Sequence, residues 1–202
     1  MPRLLVGLLM AGVGIAAMVR AELGLPPWSV LDQGISEHTG IPIGTVSILV
    51  GAVVLTSWLW LRERPGLGTV LNIIVIGLTI DAILAIVPET ESLPLRVAYL
   101  VFGVFIWGPG SGFYIGAGLG PGPRDGLMTG LAARGVGSIR AVRTAMEVTV
   151  LVTGWLLGGS VGIGTLAFAL TIGPNVQFFL SRLSITTVGR PPATPAVEVE
   201  AA

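Results

Sequence analysis

The polar residues of this chain that fall in or beside apolar stretches are few, and they form three groups. Trp28 and Asp32 follow the break Leu23-Gly-Leu-Pro-Pro, and Arg124 and Asp125 follow the break Leu119-Gly-Pro-Gly-Pro. A short helix that starts at such a break aims its free N–H groups and positive dipole end at whatever lies beside it. An Arg-Asp pair there can gate a path, contact an anion or cap the helix. The same segments also suit interfacial elbow helices, with Val30, Leu31 and Ile35 as an apolar face. Both readings stay open. Arg143 and Glu147 form the second group, at the i, i+4 spacing that puts them on one helix face. Glu147 could carry a proton or a cation. The simpler reading is an internal ion pair with Arg143 reaching toward the headgroups. The third group is Asp81 with Asn175, which follows a proline that frees a backbone carbonyl. A solvated helix end is the simpler account of Asp81. Trp28, Asp32, Asp81, Arg124, Asp125, Arg143, Glu147 and Asn175 are therefore the candidate substrate-binding residues.

Catalytic chemistry has little to work with. The chain has no Cys and one His, His38, and no Gly-x-Ser-x-Gly occurs. Gly66-x-Gly68 and Gly162-x-Gly164 are not followed by Lys-Ser/Thr, so close helix packing suits them better than phosphate binding. No catalytic residue, metal site or cofactor is expected, and the chain is read as a non-enzyme.

The elements that must position these residues come from composition. Of 202 residues, 52% are hydrophobic and 11% charged, with 30 Gly. Soluble domains carry about 25% charged residues. Eleven basic residues, all Arg, balance eleven acidic ones, which excludes a nucleic-acid binder. These values predict an all-α polytopic membrane protein. A span needs about 20 mostly apolar residues. Such stretches run from Leu4 to Val19, Thr39 to Leu61, Pro65 to Val87 and Val97 to Pro123. A longer stretch breaks at Gly158-Gly159-Ser160 and gives two more spans, one starting near Ile139 and one over about Thr165–Ser181. Six transmembrane helices result. The segments after Pro26 and after Pro123 are too short to cross, and each is expected to be a short interfacial or re-entrant helix. Residues 184–202 read as a disordered cytoplasmic tail.

Residues 4–87 and 100–183 repeat at an offset of 96. Gly7, Gly12 and Gly14 match Gly103, Gly108 and Gly110. Leu23-Gly24 matches Leu119-Gly120, Gly66-x-Gly68-Thr69 matches Gly162-x-Gly164-Thr165, and Asp81 matches Gln177. Three spans per repeat make the halves inverted within one transmembrane domain, residues 1–183. With the N-terminus inside, nine arginines lie at the inner face and only Arg20 and Arg96 at the outer, so both termini are expected in the cytoplasm. Trp58 and Trp60 would then join the inner aromatic belt, and Trp28 and Trp155 the outer. Trp107 is expected to pack mid-span.

The ordered motifs Leu-Gly-x-x-Pro-Trp-Ser-Val-Leu-x-x-Gly-Ile-Ser-x-x-Thr-Gly, Arg-x-Arg-Pro-Gly-Leu-Gly-Thr, Gly-x-Gly-Pro-Arg-Asp-Gly-Leu-Met-x-Gly-Leu and Gly-Gly-x-x-Gly-Ile-Gly-Thr span about residues 4–182. Their run resembles the bacterial YczE-like membrane proteins, grouped with YitT-like ones. The resemblance implies a small integral protein of the bacterial plasma membrane and carries over no ligand residues. The inverted repeat suggests a transporter for a small solute or ion. The alternative is a non-transporting scaffold or regulatory partner of another membrane system. Polar residues near the centre of both halves favour the first, and a dry apolar centre the second. The expected partners are the lipid bilayer, an unidentified small solute and a second copy in a homodimer.

Overall fold

A computed structural model describes residues 1–183; the tail expected over 184–202 lies outside the described residues. Eight helices follow in order: α1 (Pro2–Ala21), α2 (Pro27–Thr39), α3 (Ile43–Leu61), α4 (Leu67–Ile86), α5 (Leu93–Gly116), α6 (Pro123–Ala133), α7 (Ile139–Leu156) and α8 (Ile163–Leu183), with no strand among the described residues. Five of them, α1, α3, α4, α5 and α8, are long and apolar enough to cross a membrane. The helix α7 starts at Ile139 and stops before the Gly158-Gly159 break, but its 18 residues include Arg140, Arg143 and Glu147. At 1.5 Å per residue the 13 residues of α2 and the 11 of α6 reach roughly 20 and 17 Å, short of the ~30 Å hydrocarbon core. Both start with Pro at the first helical position, where the missing N–H costs nothing. Gly40 ends α2 in the left-handed conformation, φ 72°, with its N–H donating to the Ser36 carbonyl.

Small residues set the packing. A Cβ on Gly7 would lie 2.6 Å from the Gly110 carbonyl oxygen, and one on Gly103 would lie 2.6 Å from that of Gly14. As α1 advances from Gly7 to Gly14, its contact on α5 retreats from Gly110 to Gly103, so the two helices run antiparallel. Leu4, Leu8, Ala11 and Ile15 fill the core on the α4 side of α1, and Met18 and Ala21 pack with Leu100, Phe168 and Ile172.

The Gly-x-Gly-Thr motifs make the same bond twice. The Gly68 N–H donates to the Leu119 carbonyl at 2.8 Å, and the Gly164 N–H to the Leu23 carbonyl at 2.7 Å. Thr69 and Thr165 each accept from the N–H three residues back, Gly66 and Gly162. The α5–α6 connection thus seats on the start of α4, and the α1–α2 connection on the start of α8. The short helices follow suit: α2 packs along α7, and α6 against α3. The outward faces stay apolar, with Val53, Leu59, Leu78, Phe105 and Leu170 exposed, as lipid contact requires.

Two tryptophans depart from the expected aromatic belts. Trp58 is buried: its ring lies under Gly126 of α6, and its Nε1–H donates to the Pro123 carbonyl at 3.0 Å. Trp28 lies on a partly open cavity between the helices, where the Pro26-Pro27 break starts α2. Trp60 and Trp155 are exposed.

Candidate functional site

The starts of α2 and α6 meet at a partly open cavity of about 430 Å³ between the helices. Pro26 and Pro27 line it from one side, Gly122 and Pro123 from the other. Both positive helix ends therefore open onto the same space. Ile73, Ile76, Trp107, Phe168 and Ile172 supply apolar walls. Trp107 also packs edge-on against Phe168, with ring centroids 6.0 Å apart.

Arg124 is the central charge. Its guanidinium stacks on the Trp28 ring at 4.5 Å from the centroid. One edge lies 3.6 Å from the Asp32 carboxylate, longer than the 2.7–2.9 Å usual for a charge-assisted hydrogen bond. Asp32 is only 2% exposed, and its Oδ1 has no hydrogen-bond partner. A lone buried carboxylate would be costly, and the nearby guanidinium compensates it. Trp28 and Arg124 are equivalent positions in the 96-residue repeat, so the two copies of one site touch each other.

Asp125 projects into the same cavity and accepts from the Tyr114 hydroxyl at 3.2 Å. In the first turn of α6 its charge also favours the helix dipole. Arg143 and Glu147 line the cavity from α7, joined Nε to Oε1 at 2.9 Å, and both side chains are substantially exposed. The pair expected from the i, i+4 spacing is present. Its exposure makes it a weaker contributor than a buried pair.

The other candidates sit elsewhere. Asp81 accepts from the Gly44 N–H at 2.6 Å and the Thr45 hydroxyl at 2.7 Å, capping α3 from α4. Asn175 donates to the carbonyls of Val104 at 3.0 Å and Phe105 at 3.3 Å. Phe105 is four residues before Pro109, which lies inside α5 and has no N–H to offer that carbonyl. Gly108 leaves the room that the amide needs. Gln177, the counterpart of Asp81, does line the cavity. Among the described residues no three His, Cys, Asp or Glu converge as metal ligands would.

A family model of proteins of unknown function, DUF6198, matches residues 1–181. The chain belongs to the DUF6198 family. This DUF6198 chain is 34% identical over 177 residues to the "uncharacterized membrane protein YczE" of Bacillus subtilis, covering 86% of this chain and 82% of that one. It is 43% identical over 178 residues to an uncharacterized protein of Haemophilus influenzae, covering 88% and 82%. The uncharacterized protein YyaS of B. subtilis is 26% identical over 179 residues, 87% of this chain and 89% of that one. No solved structure matches. With its apolar helices and its YczE relative, this DUF6198 protein is a multi-pass membrane protein.

Tyr114, Asn72, Ser29, Ser47 and Ser111 are cavity residues that sequence reasoning missed. Their one signal is indirect. The Gly108-Pro-Gly-Ser-Gly112 run around Ser111 strips bulk from α5 where a cavity needs space.

Proposed function

We propose that this protein transports a small solute across the bacterial plasma membrane by alternating access. It does so as two inverted three-helix halves, with α7 as the sixth span and both termini inside. The observation that carries the reading is the cavity in which the positive ends of α2 and α6 face each other around Arg124. Half-helix ends at the centre of a repeat are the usual form of a transporter site. Both halves contribute to the site: Trp28 from the first and Arg124 and Asp125 from the second line the cavity, and Asp32 of the first lies 3.6 Å behind Arg124. A scaffold has no need of such a centre, where each charge must be compensated. The antiparallel α1–α5 pair and the twofold Gly-x-Gly-Thr bond support the inverted arrangement. The α1–α2 and α7–α8 connections touch through the Leu25 N–H and the Ser160 carbonyl, as they would on one membrane face. The proposal includes no enzyme activity.

Purified protein in liposomes tests the proposal. Uptake should be seen for at least one member of a panel of small labelled metabolites and ions, and it should be lost on Arg124→Gln with Asp32→Asn. Liposomes carrying folded protein that exchange none of the panel would favour the scaffold reading.

A further inference from the structure

We propose that the cavity binds a small monocarboxylate with an apolar body, held by Arg124. The inference rests on the cavity's being a substrate site and names the class of substrate it takes. The decisive feature is unmatched hydrogen-bonding capacity. Arg124 carries five N–H donors in a planar fork, and among the described residues it makes no hydrogen bond within usual limits. Its nearest carboxylate, Asp32, stays at 3.6 Å. The other charged groups on the cavity are engaged: Asp125 with the Tyr114 hydroxyl, and Arg143 with Glu147. Arg143 uses only its Nε in that pair and is more exposed, whereas all the donors of the more buried Arg124 are free, and its face is already covered by Trp28. What remains is its edge, which matches the two oxygens of a carboxylate. The starts of α2 and α6 add positive potential from two directions.

Charge and volume narrow the class. The charges that line the cavity cancel, Arg124 and Arg143 against Asp125 and Glu147, with Asp32 behind Arg124, so a dianion such as phosphate would find too little positive charge. Among anions, a monoanion asks for the least compensation, and one guanidinium edge can supply it. The walls of Trp107, Phe168, Ile73 and Ile172 suit an aromatic or branched aliphatic body. A volume of about 430 Å³ lies toward the small end of the ~300–1,000 Å³ range of ligand sites, too tight for a phospholipid.

Asp32 makes the proposal testable by sign. Its carboxylate competes electrostatically with an incoming anion for Arg124, so removing its charge should strengthen anion binding. A cation would lose an attractive partner and bind less well. Titration calorimetry on the full-length protein in detergent would use benzoate and its amine analogue, benzylamine. The wild type should bind benzoate and not benzylamine. Asp32→Asn should bind benzoate roughly tenfold tighter. Arg124→Lys, which keeps the charge and loses the fork, should bind it at least about tenfold more weakly, the scale of one charge-assisted hydrogen bond. The double variant Asp32→Asn with Arg124→Gln leaves no uncompensated buried charge, and it should fold and bind no benzoate. Preference for benzylamine, or weaker benzoate binding in Asp32→Asn, would overturn the proposal. Binding as expected without flux in liposomes would leave the carboxylate site standing and remove transport. Flux of an amine without benzoate binding would do the reverse.

Discussion

Among the candidate residues, Asp81 has contacts that point to a structural task. Its position opposite Gln177 in the repeat suggested a substrate contact, whereas its carboxylate holds the first turn of α3 through the Gly44 N–H and the Thr45 hydroxyl. Replacing it with Ala removes both bonds and leaves the start of α3 without a side-chain cap, since Pro42 at its N-cap position provides none. Hydrogen bonds to a charged group contribute about 1.5–3 kcal/mol each when buried. Asp81 is half-buried, so water recovers part of this, and Asp81→Ala should cost about 2–3 kcal/mol. At the ~2–4 °C per kcal/mol typical of 150–250-residue proteins, the melting temperature should fall by roughly 5–10 °C. Thr45→Val should cost about 1 kcal/mol alone and almost nothing in the Asp81→Ala background, because its partner is already gone. Intrinsic tryptophan fluorescence during thermal unfolding in detergent would follow all four proteins. An Asp81→Ala melting curve that overlays the wild type, together with abolished uptake in liposomes, would refute the capping account and restore Asp81 as a transport residue.

Other outcomes follow from the same contacts. Asn175→Ala should destabilise by about 1–3 kcal/mol, because the Phe105 carbonyl left open by Pro109 loses its donor; comparison of melting curves checks this. Gly126→Ala should cost about 1–3 kcal/mol, since its Cβ would run into the Trp58 ring, and Trp58→Leu in the same chain should recover part of the loss. Glu147→Gln should shift stability by less than about 1 kcal/mol, as expected for a pair with both side chains exposed. A reporter active only in the cytoplasm should work when fused after Arg64 or Arg134 and stay silent after Glu37 or Glu91; activity after Glu91 would break the three-plus-three topology.

Much of the architecture was legible because glycine, proline and charge act locally. The start of α7 at Ile139 and the break at Gly158-Gly159 lie where the residue pattern put them, and the Gly-x-Gly pairs, read as close-packing sites, do pack closely, though against the connections. Depth was not legible. Counting charges assigns a loop to a face, but it cannot tell whether the short helix after that loop lies flat or turns inward. Trp28 and Asp32 were read with the outer segment and Arg124 with the inner, yet all three meet. The repeat contained the missing information. In the inverted arrangement proposed above, equivalent positions near the axis face each other, and Trp28 and Arg124 stand at matching positions 96 residues apart. Trp58 was misplaced for a related reason: its neighbour Arg62 suggested a headgroup position, while Gly126 on a distant segment provided a slot for the ring.

The exchanged connections also set the order in which this chain can acquire its fold. Leu23 finds its partner only at Gly164, which leaves synthesis 141 residues later. At about 5–20 residues per second that wait is roughly 7–28 s. Until then the start of the chain holds an unpaired Leu23 carbonyl, and α1 offers Gly7 and Gly14 to an α5 that does not yet exist. Leu119, by contrast, meets a Gly68 already made. The seat on α4 can therefore close while the chain is still growing, and the seat on α8 closes last. Truncation before Ile163 should leave the first half inserted yet unlatched, a form that membrane proteases would be expected to clear.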